Sequence, residues 1–151
     1  MQEQILPISA QLWWAIPGKL AGVRKPTESE IAELKSMGIG ALVSVMDDPS
    51  NLDLYEQANL PYRWLPTRGG TAPSREQIQE FQAFVEQQNQ QEIAVAVHCT
   101  SGNRRTGTML AAYLIRAESS SNEAIQTILL ANPKAELREA QITFLHDLAG
   151  G

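Results

Sequence analysis

The chain of 151 residues has one cysteine, two histidines and no apolar run approaching the ~20 residues that a membrane-spanning helix needs. A single thiol closes no intramolecular disulfide, and with two histidines it cannot complete a Cys/His zinc cluster, so no metal is expected and the cysteine usage fits a reducing compartment. Positive charge is in deficit as well: 12 Lys and Arg face 17 Asp and Glu, for a net charge of -5 and a pI near 5.0. No overall positive field draws such a chain to nucleic acid or to an anionic membrane, and any anion it binds has to be held by a local site. Met1 to Ala10 carries neither the basic start nor the apolar core of a secretory leader. The expectation is a cytoplasmic protein that contacts neither nucleic acid nor membrane.

What is present is an ordinary globular composition, 43% hydrophobic and 19% charged, on a chain long enough to bury roughly 70% of its unfolded surface around one core. One domain over residues 1–151 is predicted. Thr27-Glu28-Ser29-Glu30 reads as a capping box ahead of Ile31, Leu34 and Met37 at helical spacing, with Gly38 as the stop. Ile39 to Val45 has the length and composition of a buried strand and runs into the turn-forming Asp47-Asp48-Pro49-Ser50-Asn51. A short helix from Leu52 to Asn59 and a strand within Leu60 to Leu65 follow; Pro61 donates no ladder hydrogen bond, which places that strand near an edge. Pro66 to Pro73 is a loop, and Ser74-Arg75-Glu76-Gln77 is a second capping box opening a helix to about Gln90 with Ile78, Phe81 and Val85 on one face. Ile93 to Val97 has the small and branched residues of a strand covered on both sides, the predicted central strand. Three helices complete the chain, through Met109 to Leu114, through Ala124 to Leu129 with a stop at Asn132-Pro133, and with Leu137, Ala140, Phe144 and Leu148 on one stripe before Gly150-Gly151. Trp13 to Leu20 reads as a short hairpin or extended lid on the sheet. The predicted class is α/β, a small, mostly parallel central sheet flanked by helices.

Chemistry concentrates in His98-Cys99-Thr100-Ser101-Gly102-Asn103-Arg104-Arg105-Thr106-Gly107-Thr108, where the central strand hands over to the most apolar helix. Ligands of open α/β sheets bind at such carboxyl ends of strands. A loop whose successive N–H groups point inward at a helix N-terminus forms an anion nest, and the same field favours a thiolate. A cysteine so placed beside arginine has its pKa lowered to roughly 3.5–7.5, which makes Cys99 a nucleophile at neutral pH. Arg105 can fold back and grip two phosphate oxygens with a planar fork that lysine lacks. Gly102 supplies the left-handed or close-approach backbone of a tight cradle, Gly107 lets the helix press on the sheet, and the Thr106 hydroxyl can stabilise the sulfur when it departs. Singly, Cys99 is a small buried hydrophobe and His98 a hydrogen-bonded core residue. The joint spacing of Cys, Gly, Arg, Thr and Gly points to chemistry instead.

This run resembles the H-C-x-x-G-x-x-R-[ST]-G signature of cysteine-dependent protein phosphatases. From Pro17-Gly18-Lys19-Leu20-Ala21-Gly22, through Ala72-Pro73, to Arg105-Thr106-Gly107-Thr108-Met109-Leu110-Ala111, the chain is similar to the small atypical dual-specificity phosphatases. The resemblance implies that Cys99 forms a phosphocysteine, that Arg105 clamps the phosphate, and that the backbone of Thr100, Ser101, Gly102, Asn103 and Arg104 cradles it. It further implies that His98 orients the cysteine and Thr106 assists its release. The partners implied are proteins carrying phosphotyrosine, phosphoserine or phosphothreonine, or small aryl phosphates and other phosphate monoesters, with no cofactor; the short chain leaves no room for elements that would deepen the pocket, so a shallow, permissive site and a monomer are expected.

One part of the family's pattern is broken. The family draws a general acid, worth ~10²–10⁴ in rate, from an aspartate on a separate loop. Aligned on Pro66 and Ala72-Pro73, that place falls on Thr67 or Arg68, neither of them an acid at neutral pH, and no aspartate stands between Asp53 and Asp147. Three outcomes are open: hydrolysis without this acid, favouring acidic leaving groups, with Arg68 adding positive charge at the pocket mouth; a substitute among Asp47, Asp48, Glu76, Glu136 and Glu139; or a pseudophosphatase that binds phosphorylated ligands with little turnover. Arg104 allows a further parse, since Cys99-Thr100-Ser101-Gly102-Asn103-Arg104 resembles the C-x-x-G-x-R loop of rhodanese-type sulfurtransferases, whose persulfide chemistry needs no remote acid. His98 and Arg105-Thr106-Gly107 favour the phosphatase.

Overall fold

A computed structural model describes residues 6–150; the first five residues of the Met1 to Ala10 stretch, and Gly151, lie outside the described residues. In chain order the elements are α1 (Ile8–Gln11), β1 (Trp13–Ile16), β2 (Leu20–Arg24), α2 (Glu28–Ser36), β3 (Ile39–Ser44), α3 (Leu52–Gln57), β4 (Tyr62–Trp64), α4 (Arg75–Gln90), β5 (Ala94–Cys99), α5 (Arg104–Arg116), α6 (Ser121–Ala131), a 3-10 turn (Pro133–Ala135) and α7 (Glu139–Gly150). The strands form one sheet in the order β1-β2-β5-β3-β4, parallel throughout except for the β1/β2 hairpin. This is the α/β class expected, with β5 in the middle and β4 at an edge.

Strand alternation sorts the core into two layers. Val95, Val97 and Cys99 point into one layer with Phe81, Val85, Met109, Leu110 and Leu145, whereas Ala94 and Ala96 point into the other with Ile31, Leu34 and Tyr55. Because both faces of β5 are covered, its sequence is apolar almost without interruption. Helix α5 is wrapped by neighbours and buried from Thr106 through Tyr113. Met109 and Leu110 are 0% exposed, and each such burial contributes roughly 1.5–3 kcal/mol, which fixes the helix that carries Arg105. The second capping box forms as read: the Gln77 N–H donates to Ser74 Oγ at 3.1 Å and the Ser74 N–H to Gln77 Oε1 at 2.9 Å. At the first box the Thr27 N–H donates to Glu30 Oε1 at 2.9 Å.

Of the two N-terminal alternatives the hairpin forms and the lid does not: Trp13–Ile16 pairs antiparallel with Leu20–Arg24, which is itself an inner strand paired along β5. Two other expectations are corrected. Gly107 does not face the sheet: a Cβ there would lie 3.2 Å from Ala135 Cβ and from Ile128 Cγ2, so the glycine admits α6 and the 3-10 turn against α5. On α7 the inward stripe is Gln141, Leu145 and Leu148, with Ala140 exposed, because a buried glutamine that satisfies its hydrogen bonds occupies a core position.

Candidate active site

Cys99 ends β5 and Arg105 is the second residue of α5, so the loop between them is pinned by the central strand on one side and the most buried helix on the other. Gly102 adopts φ +78°, and any Cβ at this position would collide with the backbone of Val23 and Arg24; glycine alone lets the loop lie on β2. Trp13 Nε1 donates to the Gly102 carbonyl at 3.1 Å and the Lys25 N–H to the Thr100 carbonyl at 3.2 Å. With these carbonyls engaged by β1 and the end of β2, the N–H groups of Gly102 and Thr106 are turned to the sulfur.

The sulfur is buried, Cys99 being 2% exposed, and burial by itself raises a thiol pKa. It is outweighed. Thr106 Oγ1 donates to Sγ at 3.1 Å, the Thr106 and Gly102 amides donate to it as well, and the Arg105 charge adds to them, so the Cys99 pKa lies below its ordinary value. His98 stands on the opposite face of the strand and does not touch the sulfur. Its Nδ1 donates to the Cys99 carbonyl at 3.4 Å, which leaves Nε2 to accept from the Tyr55 hydroxyl at 2.7 Å; Tyr55 in turn accepts from Asn51 Nδ2 at 3.1 Å. Burial, helped by the charges of Lys25 and Arg105, lowers the His98 pKa to about 4 and keeps the ring neutral. His98 thus acts on the Cys99 backbone, a positioning contact.

Arg105 donates from Nη1 to the Thr67 carbonyl at 3.1 Å and from Nη2 to Thr100 Oγ1 at 3.3 Å, with Asp47 Oδ1 at 3.6 Å from Nη1. It borders a cleft of about 460 Å³ lined by Gly69, Gly70, Cys99, Ser101, Arg104, Arg105 and Arg138. Three arginines and no acidic residue are among the lining residues, although Asp47 and Glu136 pair with Arg105 and Arg104 from outside the cleft. Of the remaining predicted residues, Thr100 is exposed and Asn103 is turned away, its Oδ1 accepting from Asn132 Nδ2 at 3.0 Å. Arg104 lines the cleft but is tethered outward, Nε donating to the Glu136 carbonyl at 2.9 Å and Nη2 lying 3.6 Å from its carboxylate. Arg105, and not Arg104, is therefore the arginine folded toward the sulfur, against the sulfurtransferase parse.

The loop of residues 66–73, where the resemblance looks for an acid, offers none to the cleft. Thr67 is 4% exposed with its hydroxyl donating to the Leu65 carbonyl at 3.2 Å, and Arg68 is exposed and outside the cleft lining; the wall is made by Gly69 and Gly70. The cation on that side is Arg138. Among the substitute acids, Asp47 is paired with Arg105, Glu136 with Arg104, and Asp48 accepts from the Ser50 N–H at 2.9 Å; none of the five lines the cleft. Sequence reading missed Arg138 and Gln141. Gln141 accepts from the Arg138 N–H at 2.8 Å and donates to the Thr71 carbonyl at 3.1 Å, tying α7 to the loop. Its signal was the i, i+4, i+7 spacing with Leu145 and Leu148.

Comparison with known proteins agrees with this geometry. The family described as "Tc-R-P: Polymorphic toxin system, DSP-PTPase phosphatase" matches residues 18–119. The PRL-1 phosphatase of Drosophila melanogaster is 27% identical over 117 residues, which cover 76% of this chain and 66% of the fly protein, so the chain spans just under two thirds of that relative's length. Among solved structures, Tk-PTP in the active form has a TM-score of 0.84 at 28% identity, covering 93% of this chain and 97% of that one. Human DUSP28, at 18% identity, shares the fold with a TM-score of 0.76, covering 99% of this chain and 97% of its own.

Proposed function

This chain belongs to the DSP-PTPase phosphatase family described from polymorphic toxin systems, a family of cysteine phosphatases, and from that membership we propose that it hydrolyses phosphate monoesters through a phosphocysteine on Cys99 without an acid supplied by the protein. Esters whose leaving oxygen departs unprotonated, phosphotyrosine and other aryl phosphates, are its best substrates. The thiolate attacks phosphorus in line; the S–P bond forms as the ester P–O bond breaks, and the leaving phenolate takes its proton from water. A water molecule then attacks the phosphocysteine, the S–P bond breaks, and the returning thiolate is stabilised by the Thr106 hydroxyl. Arg105 and the loop amides hold the equatorial oxygens, so the rate comes from positioning and charge.

The observation that carries this reading is a buried sulfur whose pKa is lowered by Thr106, two amides and Arg105, facing a cleft lined by three arginines and no carboxylate. The test is pre-steady-state kinetics on a series of aryl phosphates. A burst lost in Cys99→Ser, with kcat/KM rising steeply as the leaving phenol becomes more acidic, is the expected result. A leaving-group dependence that is nearly flat, with a descending basic limb in the pH profile, would reveal an acid after all, and Asp47 is the first residue to substitute. Absence of a burst would leave phosphate binding alone.

A further inference from the structure

Behind the catalytic loop, on the face of β5 away from the sulfur, runs a chain of polar side chains that the reacting phosphate does not touch. We propose that Asn51 is a positioning residue for Cys99: through Tyr55 it fixes which nitrogen of His98 carries the proton, and so keeps a donor on the Cys99 carbonyl. The proton order stands on hydrogen-bond chemistry alone; only its consequence for turnover rests on the phosphatase reading above.

Asn51 precedes α3 in the left-handed region, at φ 74°, which asparagine tolerates better than most side chains. It holds the N-cap position, where an asparagine ordinarily spends its side-chain oxygen on an amide of the first turn; here no such bond forms. The side chain reaches away from the helix instead. Its Nδ2 donates to the Pro26 carbonyl at 2.7 Å and to the Tyr55 hydroxyl oxygen at 3.1 Å. A carbonyl only accepts, so the group facing Pro26 is the amide NH2, and both of its protons are used. The Tyr55 oxygen receives one of them and has its own proton free for His98 Nε2 at 2.7 Å. Nε2 therefore accepts, and a neutral imidazole with Nε2 bare carries its proton on Nδ1, 3.4 Å from the Cys99 carbonyl. Carbonyls that can only accept close the chain at both ends, and from Asn51 onward every donor points toward Cys99.

The chain does more than fill space. Tyr55 is fully buried in a layer with Ile31, Leu34, Leu42 and Ala96, and the His98 ring, fully buried too, stands edge-on to it with centroids 5.8 Å apart. Buried polar groups cost free energy unless they are paired; the Tyr55 hydroxyl and both His98 nitrogens are, which leaves one low-energy arrangement of protons. The chain also reaches the loop from two sides. Pro26 follows Lys25, whose N–H holds the Thr100 carbonyl at 3.2 Å, while His98 holds the carbonyl of Cys99. Consecutive carbonyls of the loop are thus fixed by two supports that Asn51 joins. Reversing the proton order would set a bare Nδ1 against the Cys99 carbonyl, acceptor facing acceptor, and displace the strand end from the position in which Sγ meets the Thr106 hydroxyl.

The test is nitrogen magnetic resonance of the full chain with isotope-labelled histidine near neutral pH, in a His146→Gln background that leaves His98 as the single imidazole; burial, which holds its pKa at about 4, keeps it neutral there. The parent is expected to carry the proton on Nδ1. Asn51→Asp keeps the size and tolerates the left-handed turn, but its carboxylate takes the Tyr55 proton, so the tyrosine oxygen accepts from His98 and the proton is expected on Nε2. With that reversal, kcat on aryl phosphates should fall about five- to tenfold while KM changes by less than about twofold, and Cys99 alkylation should slow about threefold. Asn51→Gly is relaxed at this φ, removes the donor without adding a charge, and is expected to show both tautomers with intermediate alkylation; it reads the proton order even where the aspartate variant folds poorly. A parent proton on Nε2, or an Nδ1 proton retained undiminished in either variant, overturns the proton order. A reversal that leaves alkylation and kcat unchanged overturns the positioning role. Alkylation that slows as expected in a chain whose parent hydrolyses no aryl phosphate overturns the phosphatase reading alone and leaves Asn51 in its place.

Discussion

At the scale of single residues, the account reduces to how Thr106 and Arg105 treat one sulfur. Thr106→Ala removes the 3.1 Å hydroxyl contact to Sγ and leaves the amides in place. A hydrogen bond to a charged group is worth ~1.5–3 kcal/mol, so the ionisation midpoint of Cys99 should rise by about 1–2 pH units, measured from the pH dependence of its alkylation. Arg105→Lys keeps the charge and loses the fork, and should lower kcat/KM on aryl phosphates by about 10²–10³, with the Cys99 midpoint moved less than by Thr106→Ala. Equal effects of the two substitutions on both readouts would contradict this division of labour. These residues were legible in the sequence because their spacing along a short loop leaves little freedom once a strand precedes it and a helix follows. His98 was legible as part of the motif but not in its contacts: neighbours on a strand face opposite ways, so it meets Tyr55 and the Cys99 carbonyl.

Among the elements, the β1/β2 hairpin is what holds the loop from outside. Gly22 on β2 is wedged between the Trp13 indole and the Thr106 methyl, where a Cβ would fall 2.5 Å from Trp13 Cε2 and 2.9 Å from Thr106 Cγ2. Gly22→Ala should therefore destabilise the fold by about 1–3 kcal/mol in chemical denaturation and, by displacing Thr106, slow Cys99 alkylation at neutral pH. A variant as stable and as reactive as the parent would show that the hairpin is a passive cover. Capping boxes and apolar runs made α2, α4, β3 and β5 readable, since each is specified by local chemistry. Strand β2 was not readable. Its five residues, Leu20-Ala21-Gly22-Val23-Arg24, owe their conformation to pairing with Val95 through Cys99, more than 70 positions away. The role of Gln141 was hidden in the same way, because its partners, Thr71 and Arg138, come together only in the folded chain.

For the molecule as a whole, the same loop links stability to pH. The unfolded chain protonates His98 near pH 6.5, whereas in the fold burial holds its pKa at about 4. The folded-state pKa is depressed, so the folded state refuses a proton that the unfolded state accepts; stability is undiminished above about pH 6.5 and falls progressively toward about pH 4, by about 3 kcal/mol in all. The urea midpoint should begin to decline near pH 6.5 on account of His98, and more steeply below about pH 4.5, where the unfolded chain also protonates Glu30 while Arg24 holds its folded pKa at about 2. A midpoint that stays flat would place His98 in water. The central claim, that the fold exists to keep one sulfur ionised in front of a basic cleft, is tested most directly by ultraviolet titration of the thiolate. The chain has a single cysteine, so the signal belongs to Cys99 alone. The account predicts ionisation below the ordinary midpoint of ~8.5; a thiol that keeps its proton up to that value would contradict it.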